Sequence, residues 1–185
     1  MVELKATCTL HEDAPLDIEV YVDSDWAGCK RTARSTSGGA VLWGRHMIKT
    51  WSSTQKTVAL SSGEAELTAM VKMSCEVIGI LQLMADLGVT GYAGNPMEGI
   101  IYADSSAALG VVKRKGNGKL RHVRVGKLWL QEKREREELE FRKVGGQMNP
   151  GDLMTKNLQE RVMEHHMELI GQKRCDGRAS SSLQV

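Results

Sequence analysis

A change of hydrophobic period constrains this chain more than any other feature. Leu16, Ile18, Val20 and Val22 alternate with Asp17, Glu19, Tyr21 and Asp23, the period of a strand with one buried face. Two short strands follow, 40–43 and 47–51, joined by a turn at Gly44 and Arg45, so three successive strands predict an antiparallel meander. At Ser61 the spacing switches. Leu67, Met70, Val71, Ser74, Ile78, Leu81, Met84 and Leu87 recur at helical intervals until Gly88, and Ser61 with Glu64 has the separation of a capping box. Residues 100–103 then read as a buried strand, 105–112 as a short helix, 123–138 as a charged helix and 139–144 as a strand. Asn149 and Pro150 suit the cap and first position of a further helix. Strands and helices mixed over 185 residues make one α/β domain, since a domain takes about 150 residues.

Lys and Arg total 25 against 23 Asp and Glu, a net charge of +2, so the partner must be sought in how charge is distributed. With 41% apolar and 26% charged residues the chain is neither disordered nor fibrous. The longest apolar run, 77–85, is interrupted by Gln82 and falls short of the roughly 20 residues of a membrane span. The N-terminus has no signal-peptide core. These features predict no membrane partner and a soluble, intracellular, cytoplasmic location. Cys8, Cys29, Cys75 and Cys175 form no Cys-x-x-Cys pair and are read as ordinary thiols. The expected organisation is a leader at 1–14, a core domain at 15–160, and a C-terminal helix with a polar tail at 161–185, unstructured beyond about Gly171. His165 and His166 are expected on the solvated surface of that helix.

Four carboxylates stand at positions where α/β sheets build sites: Asp23 at a strand end, Glu66 in the first turn of the long helix, Asp104 after the buried strand and Asp152 at a helix start. Singly, an acid at a helix start merely suits the helix dipole. Gathered together, four would repel and hold protons unless a cation neutralised them. Mg²⁺ takes such oxygen ligands, and a pair of ions about 4 Å apart serves phosphodiester chemistry.

Ordered blocks across about residues 15–160 then narrow the choice. YVDSDWAG at 21–28, STSGGAVLWG at 35–44, TWSSTQKTVALSSGEAELTA at 50–69, IYADSSAAL at 101–109, the His122 region and NPGDLMTKNL at 149–158 resemble the ribonuclease H domain of copia-type retrotransposon polyproteins. The resemblance implies a ribonuclease H-like α/β fold, a five-stranded mixed sheet flanked by helices. It implies cleavage of the RNA strand of RNA–DNA hybrids with two Mg²⁺ (or Mn²⁺) ions. Asp23, Glu66, Asp104 and Asp152 fall on the family's metal-binding, catalytic acids. Asp25 could support the site from the same strand face, whereas Glu64 is assigned to the helix cap. A reverse transcriptase domain is the implied partner in the parent polyprotein, and residues 1–14 are read as the remnant of the connection to it. Ser105, where many relatives have Asn, and Arg124, where they have an acid, depart from the pattern.

Two acid-free stretches, 26–63 and 105–131, supply candidate phosphate contacts. The first carries Lys30, Arg31, Arg34, Arg45, Lys49 and Lys56, interleaved with Trp43 and Trp51. The second carries Lys113, Arg114, Lys115, Lys119, Arg121, His122, Arg124 and Lys127. Ser24, Ser62 and Ser105, which flank the acids, complete the expected nucleic-acid-binding set together with Arg31, Arg34, Lys113, Arg114, Lys119 and Arg121. The alternatives are a non-catalytic, nucleic-acid-binding remnant of a decayed retrotransposon polyprotein, and a related metal nuclease such as an integrase core or junction resolvase.

Overall fold

The computed structural model describes residues 5–6, 17–91, 94–116 and 124–175. Strand β1 is the two-residue segment Lys5–Ala6, and β2, Asp17–Asp25, carries the alternating pattern. Because Ile18, Val20 and Val22 are fully buried on one face, β2 takes a central place. It pairs antiparallel with β3 (Thr36–Trp43), which pairs antiparallel with β4 (His46–Thr54). On its other side β2 pairs parallel with β5 (Glu98–Ala103), itself parallel to β6 (Glu140–Lys143). The result is a five-stranded mixed sheet in the order β4-β3-β2-β5-β6, the predicted meander forming one half.

Helix α1, Ser62–Asp86, lies across the sheet. Its cap is the expected one: the Ser61 side chain accepts from the Glu64 N–H, while Glu64 Oε2 accepts from the N–H of Leu60. Leu67, Met70, Met73 and Val77 pack on Ile18, Val20, Val22 and Ile101. At about 1.5–3 kcal/mol for each large side chain fully buried, this contact contributes heavily to stability. Among the described residues α1 is the one helix long and apolar enough to cross a membrane. Here its apolar face is occupied by the sheet.

Strands β3 and β4 run several residues further than the apolar pattern predicted. The extension in β3 is Thr36, Ser37, Gly38 and Gly39, which resembles loop sequence but is squeezed between two layers. A Cβ on Gly38 would fall 2.5 Å from Met154 Cβ, and one on Gly39 would fall 2.6 Å from Met73 Cε. Small residues are required there because both faces are covered.

Helix α2 spans Ser106–Lys113 and α3 spans Arg124–Glu135. After β6 the chain makes a 3-10 turn, Pro150–Met154, where an α-helix was expected; Asn149 still caps it, accepting from the Gly151 N–H. Helix α4, Glu160–Leu169, follows. Its His166 is 1% exposed, which corrects the surface placement; His165 is exposed as expected. The tail is not structureless immediately beyond Gly171, because β7 (Arg174–Cys175) pairs antiparallel with β1. The remainder of the expected leader and tail lies outside the described residues.

Candidate metal centre

Three elements deliver carboxylates to one end of the sheet. Asp23 is fully buried near the end of β2, and Asp104 follows the last residue of β5. The parallel register, which sets Val22 against Ala103, makes the two acids neighbours. Asp152 arrives on the 3-10 turn. Buried Asn149 fixes that turn, its Nδ2 donating to the Val22 carbonyl at 3.1 Å, one residue before Asp23. One carboxylate oxygen each from Asp23, Asp104 and Asp152 then lies within 4.8 Å of the others.

Glu66 borders this group from the second turn of α1, one turn later than expected. It is 6% exposed, and its Oε2 is buried without a hydrogen-bond partner among the described residues. Burial, then the charges of Asp23 and Asp104, push its carboxyl up to about 8; Lys156 and the Ser24 backbone N–H oppose the shift. Asp25 stays outside the group, its carboxylate folded onto Gly28, where a Cβ would collide with Asp25 Oδ2.

Lys156 was not foreseen. Its Nζ donates to Asp23 Oδ1 at 3.1 Å and to Asp152 Oδ1 at 2.8 Å. Burial alone would lower the Lys156 pKa, but the hydrogen bond to Asp152 and the Asp23 charge outweigh it and hold the ammonium above its usual range. Burial raises the Asp152 carboxyl, with the Lys156 hydrogen bond acting in the opposite direction. The Thr155 hydroxyl donates to Asp23 Oδ2. Lys143 donates to the Asp104 carbonyl oxygen and, at 2.8 Å, to Ser106 Oγ. The signal available for Lys156 was its position four residues after Asp152, a spacing that pairs side chains on a helical turn.

Among the described residues the four acids outnumber the nearby ammoniums of Lys156 and Lys143, and one buried carboxyl oxygen has no partner. That donor set fits hard divalent cations such as Mg²⁺ or Mn²⁺.

The expected nucleic-acid-binding residues divide. Arg31 and Arg34 are exposed on the loop between β2 and β3, at the carboxylate end of the sheet, together with Lys30; exposed Lys56 follows β4 at the same end. Ser62 is exposed at the start of α1. Ser24 is buried against Gln55, so its side chain is not a surface contact. Ser105 Oγ is engaged as the cap of α2, accepting from the Ala108 N–H. Lys113 corrects the expectation most clearly. Helix α2 packs beside β6, and its C-terminal Lys113 borders a cleft with Glu98, Glu138 and Glu140, at the sheet end away from Asp104. Arg114 follows it there. Arg45 also sits at the far end, in the β3–β4 turn, and Lys49 is paired with Glu76 at 2.5 Å. Trp43 and Trp51 pack against the core. Lys119, Arg121 and His122 lie outside the described residues.

A mixed sheet in this order, with acids converging at the ends of β2 and β5, defines a ribonuclease H fold. Solved structures agree. The chain is similar to LC11-RNase H1, isolated from compost by a metagenomic approach, with a TM-score of 0.58 at 15% identity over 76% of this chain and 93% of that one. It is also similar to the N-terminal RNase H domain of rv2228c from Mycobacterium tuberculosis, with a TM-score of 0.52 at 13% identity over 83% and 97%. A further structure of LC11-RNase H1, in complex with an RNA/DNA hybrid, gives a TM-score of 0.51 at 15% identity over 75% and 94%. Homologues of the chain include retrovirus-related Pol polyproteins of transposons, as the copia-type resemblance implied. It is 30% identical over 152 residues to the polyprotein of transposon TNT 1-94 from Nicotiana tabacum, covering 82% of this chain and 11% of that protein. It is 40% identical over 74 residues to that of transposon RE1 from Arabidopsis thaliana, covering 40% and 5%. The chain therefore spans a small part of these relatives' length. No protein-family model matches it.

Proposed function

We propose that this chain hydrolyses the RNA strand of RNA–DNA hybrids, as the ribonuclease H segment of a transposon polyprotein that also carries a reverse transcriptase. The observation carrying this reading is the convergence of Asp23, Asp104 and Asp152 oxygens within 4.8 Å on a ribonuclease H fold. Glu66 beside them completes a set able to hold two Mg²⁺ or Mn²⁺ ions. When bound, such ions supply charge neutralisation and Lewis acidity at a phosphodiester.

The remaining groups prepare the pocket. Thr155 and Lys156 together fix both oxygens of Asp23, so the most buried carboxylate keeps one orientation. Glu66 holds a proton at neutral pH in the metal-free pocket and must release it to act as a ligand. Asn149 ties the Asp152 turn to β2, so these two acids move as one unit. The exposed cations at the same end, Lys30, Arg31, Arg34 and Lys56, supply phosphate contacts to the duplex. The LC11-RNase H1 complex with an RNA/DNA hybrid supports this class of substrate.

The test is incubation of a labelled hybrid, a DNA duplex, an RNA duplex and a branched DNA with the purified chain and Mg²⁺. The expected result is cutting of the hybrid's RNA strand alone, abolished by EDTA and by Asp104→Asn. Binding of hybrid without turnover, unchanged by Asp104→Asn, would instead assign the chain as a non-catalytic remnant. Preference for branched DNA would assign it as a resolvase-like nuclease.

A further inference from the structure

An apolar surface beside the carboxylate pocket has no part in the chemistry above. Trp26 is 51% exposed although large and apolar, and Leu60 and Val58 are 73% and 47% exposed. Scattered exposed apolar residues are ordinary, but these belong to two segments joined side by side. The Trp26 Nε1–H donates to the Ala59 carbonyl at 3.1 Å, which fixes the indole next to residues 58–60 while leaving half of it uncovered. Buried Gln55 reinforces the junction: its Nε2 reaches Ser37 Oγ at 2.7 Å and the Ala65 carbonyl at 2.9 Å, joining β3 to α1. The surface thus joins the segment that begins three residues after Asp23 to the segment that ends six residues before Glu66.

The same two segments carry cations. Lys30, Arg31 and Arg34 are exposed on the loop that Trp26 begins, and Lys56 is exposed on the segment that Leu60 ends. The two segments are linked again where the Gln55 N–H donates to the Ser35 carbonyl at 2.8 Å, and the Ser35 hydroxyl accepts from the Ala27 N–H at 3.0 Å. No acid occurs between Asp25 and Glu64. An indole held rigid and half-exposed, flanked by cations, suits a partner with flat apolar faces along a polyanionic backbone. A nucleic-acid strand has that chemistry.

We propose that Trp26, with Val58 and Leu60, forms a packing platform for the sugar and base faces of one strand of the hybrid where it enters the carboxylate pocket, with the neighbouring cations holding its phosphates. This inference rests on the hybrid-cleaving reading and extends it to a named contact surface.

The test is anisotropy of a labelled hybrid with the full chain in EDTA, so that affinity is read without turnover, in parallel with cleavage in Mg²⁺. Trp26→Ala, checked by circular dichroism and melting temperature, is expected to bind roughly 5- to 150-fold more weakly, the range for removing an aromatic platform from under one base. Trp26→Phe is expected to retain most of the affinity. Leu60→Ser, at a position too exposed to matter for folding, is expected to weaken binding in the same direction and keeps the test decisive if Trp26→Ala misfolds. Unchanged affinity in Trp26→Ala and Leu60→Ser, with the unmodified chain still cleaving hybrid, overturns the platform alone. Self-association of the chain that Trp26→Ala dissolves, with hybrid affinity unchanged, also overturns it and assigns the surface to a second copy. An unmodified chain that neither binds nor cleaves hybrid overturns both readings.

Discussion

Replacing Glu66 by Gln removes an ionisable proton from the site while keeping its shape, and the consequence can be worked out. The folded-state carboxyl sits at about 8 against an ordinary value of 4.5, so between those two values the folded chain holds a proton that the unfolded chain has released. Stability then falls as pH rises through that window, because the unfolded state binds fewer protons. From pH 5 to pH 8 this group alone removes about 3–4 kcal/mol of stability. Urea unfolding in EDTA at intervals across that range reads the slope directly. The Glu66→Gln chain should lack that part of the decline, leaving a shallower profile. Mg²⁺ should recover stability at pH 8 in the unmodified chain and much less in the variant. Parallel profiles for the two proteins would show that Glu66 does not carry the buried proton and would remove it from the pocket.

Three further sets of substitutions have expected outcomes. Lys156→Met leaves the buried Asp23 carboxylate without its ammonium; in EDTA near neutral pH it should cost roughly 1–3 kcal/mol, less than a fully buried pair because the Lys156 side chain is 39% exposed, and saturating Mn²⁺ should restore most of it. Calorimetry of Mn²⁺ binding should show tighter binding in Lys156→Met, since the ion no longer competes with the ammonium. Asn149→Ala strands the Val22 carbonyl and the Gly151 N–H in a buried region, so thermal unfolding should report a loss of about 1–3 kcal/mol, with metal affinity reduced as the Asp152 turn loosens. Arg31→Ala combined with Arg34→Ala should weaken hybrid binding and reduce the salt slope by about one unit for each phosphate that is no longer neutralised.

Much of the architecture was legible because binary patterning and burial agree. Within the described residues the alternation at 17–23 became β2, and the helical spacing from Ser61 became α1 with Ser61 as its cap. What escaped depends on packing between segments remote in sequence. Thr36 to Gly39 resemble a loop until α1 and the Pro150–Met154 turn press on both faces of the strand they form. The Asn149-Pro150 start signal was genuine, but the turn it opens is pinned to Val22, far back in the chain, and ends as a 3-10 turn after five residues. His166 looked like a surface residue because nothing in its own helix shows which face is covered.

The site divides along the same line. The acids could be nominated from their positions at element ends, and three of them do converge. Lys156 and Thr155 could not be assigned to Asp23 without the fold, since more than a hundred residues separate them. A count of basic residues also could not tell which lie near the site. Lys113 is carried to the far end of the sheet by the length of α2, while Arg31 and Arg34 remain at the near end.

The most direct measurement is single-turnover cleavage of an RNA–DNA hybrid by the unmodified chain and by Asp104→Asn, with Mg²⁺ and with EDTA. The expected result is Mg²⁺-dependent scission of the RNA strand, slowed roughly a hundredfold or more by the substitution, because the charge stabilisation at stake is worth several kcal/mol. An intact hybrid after incubation with folded, Mg²⁺-saturated protein would contradict it, as would scission that Asp104→Asn leaves unchanged.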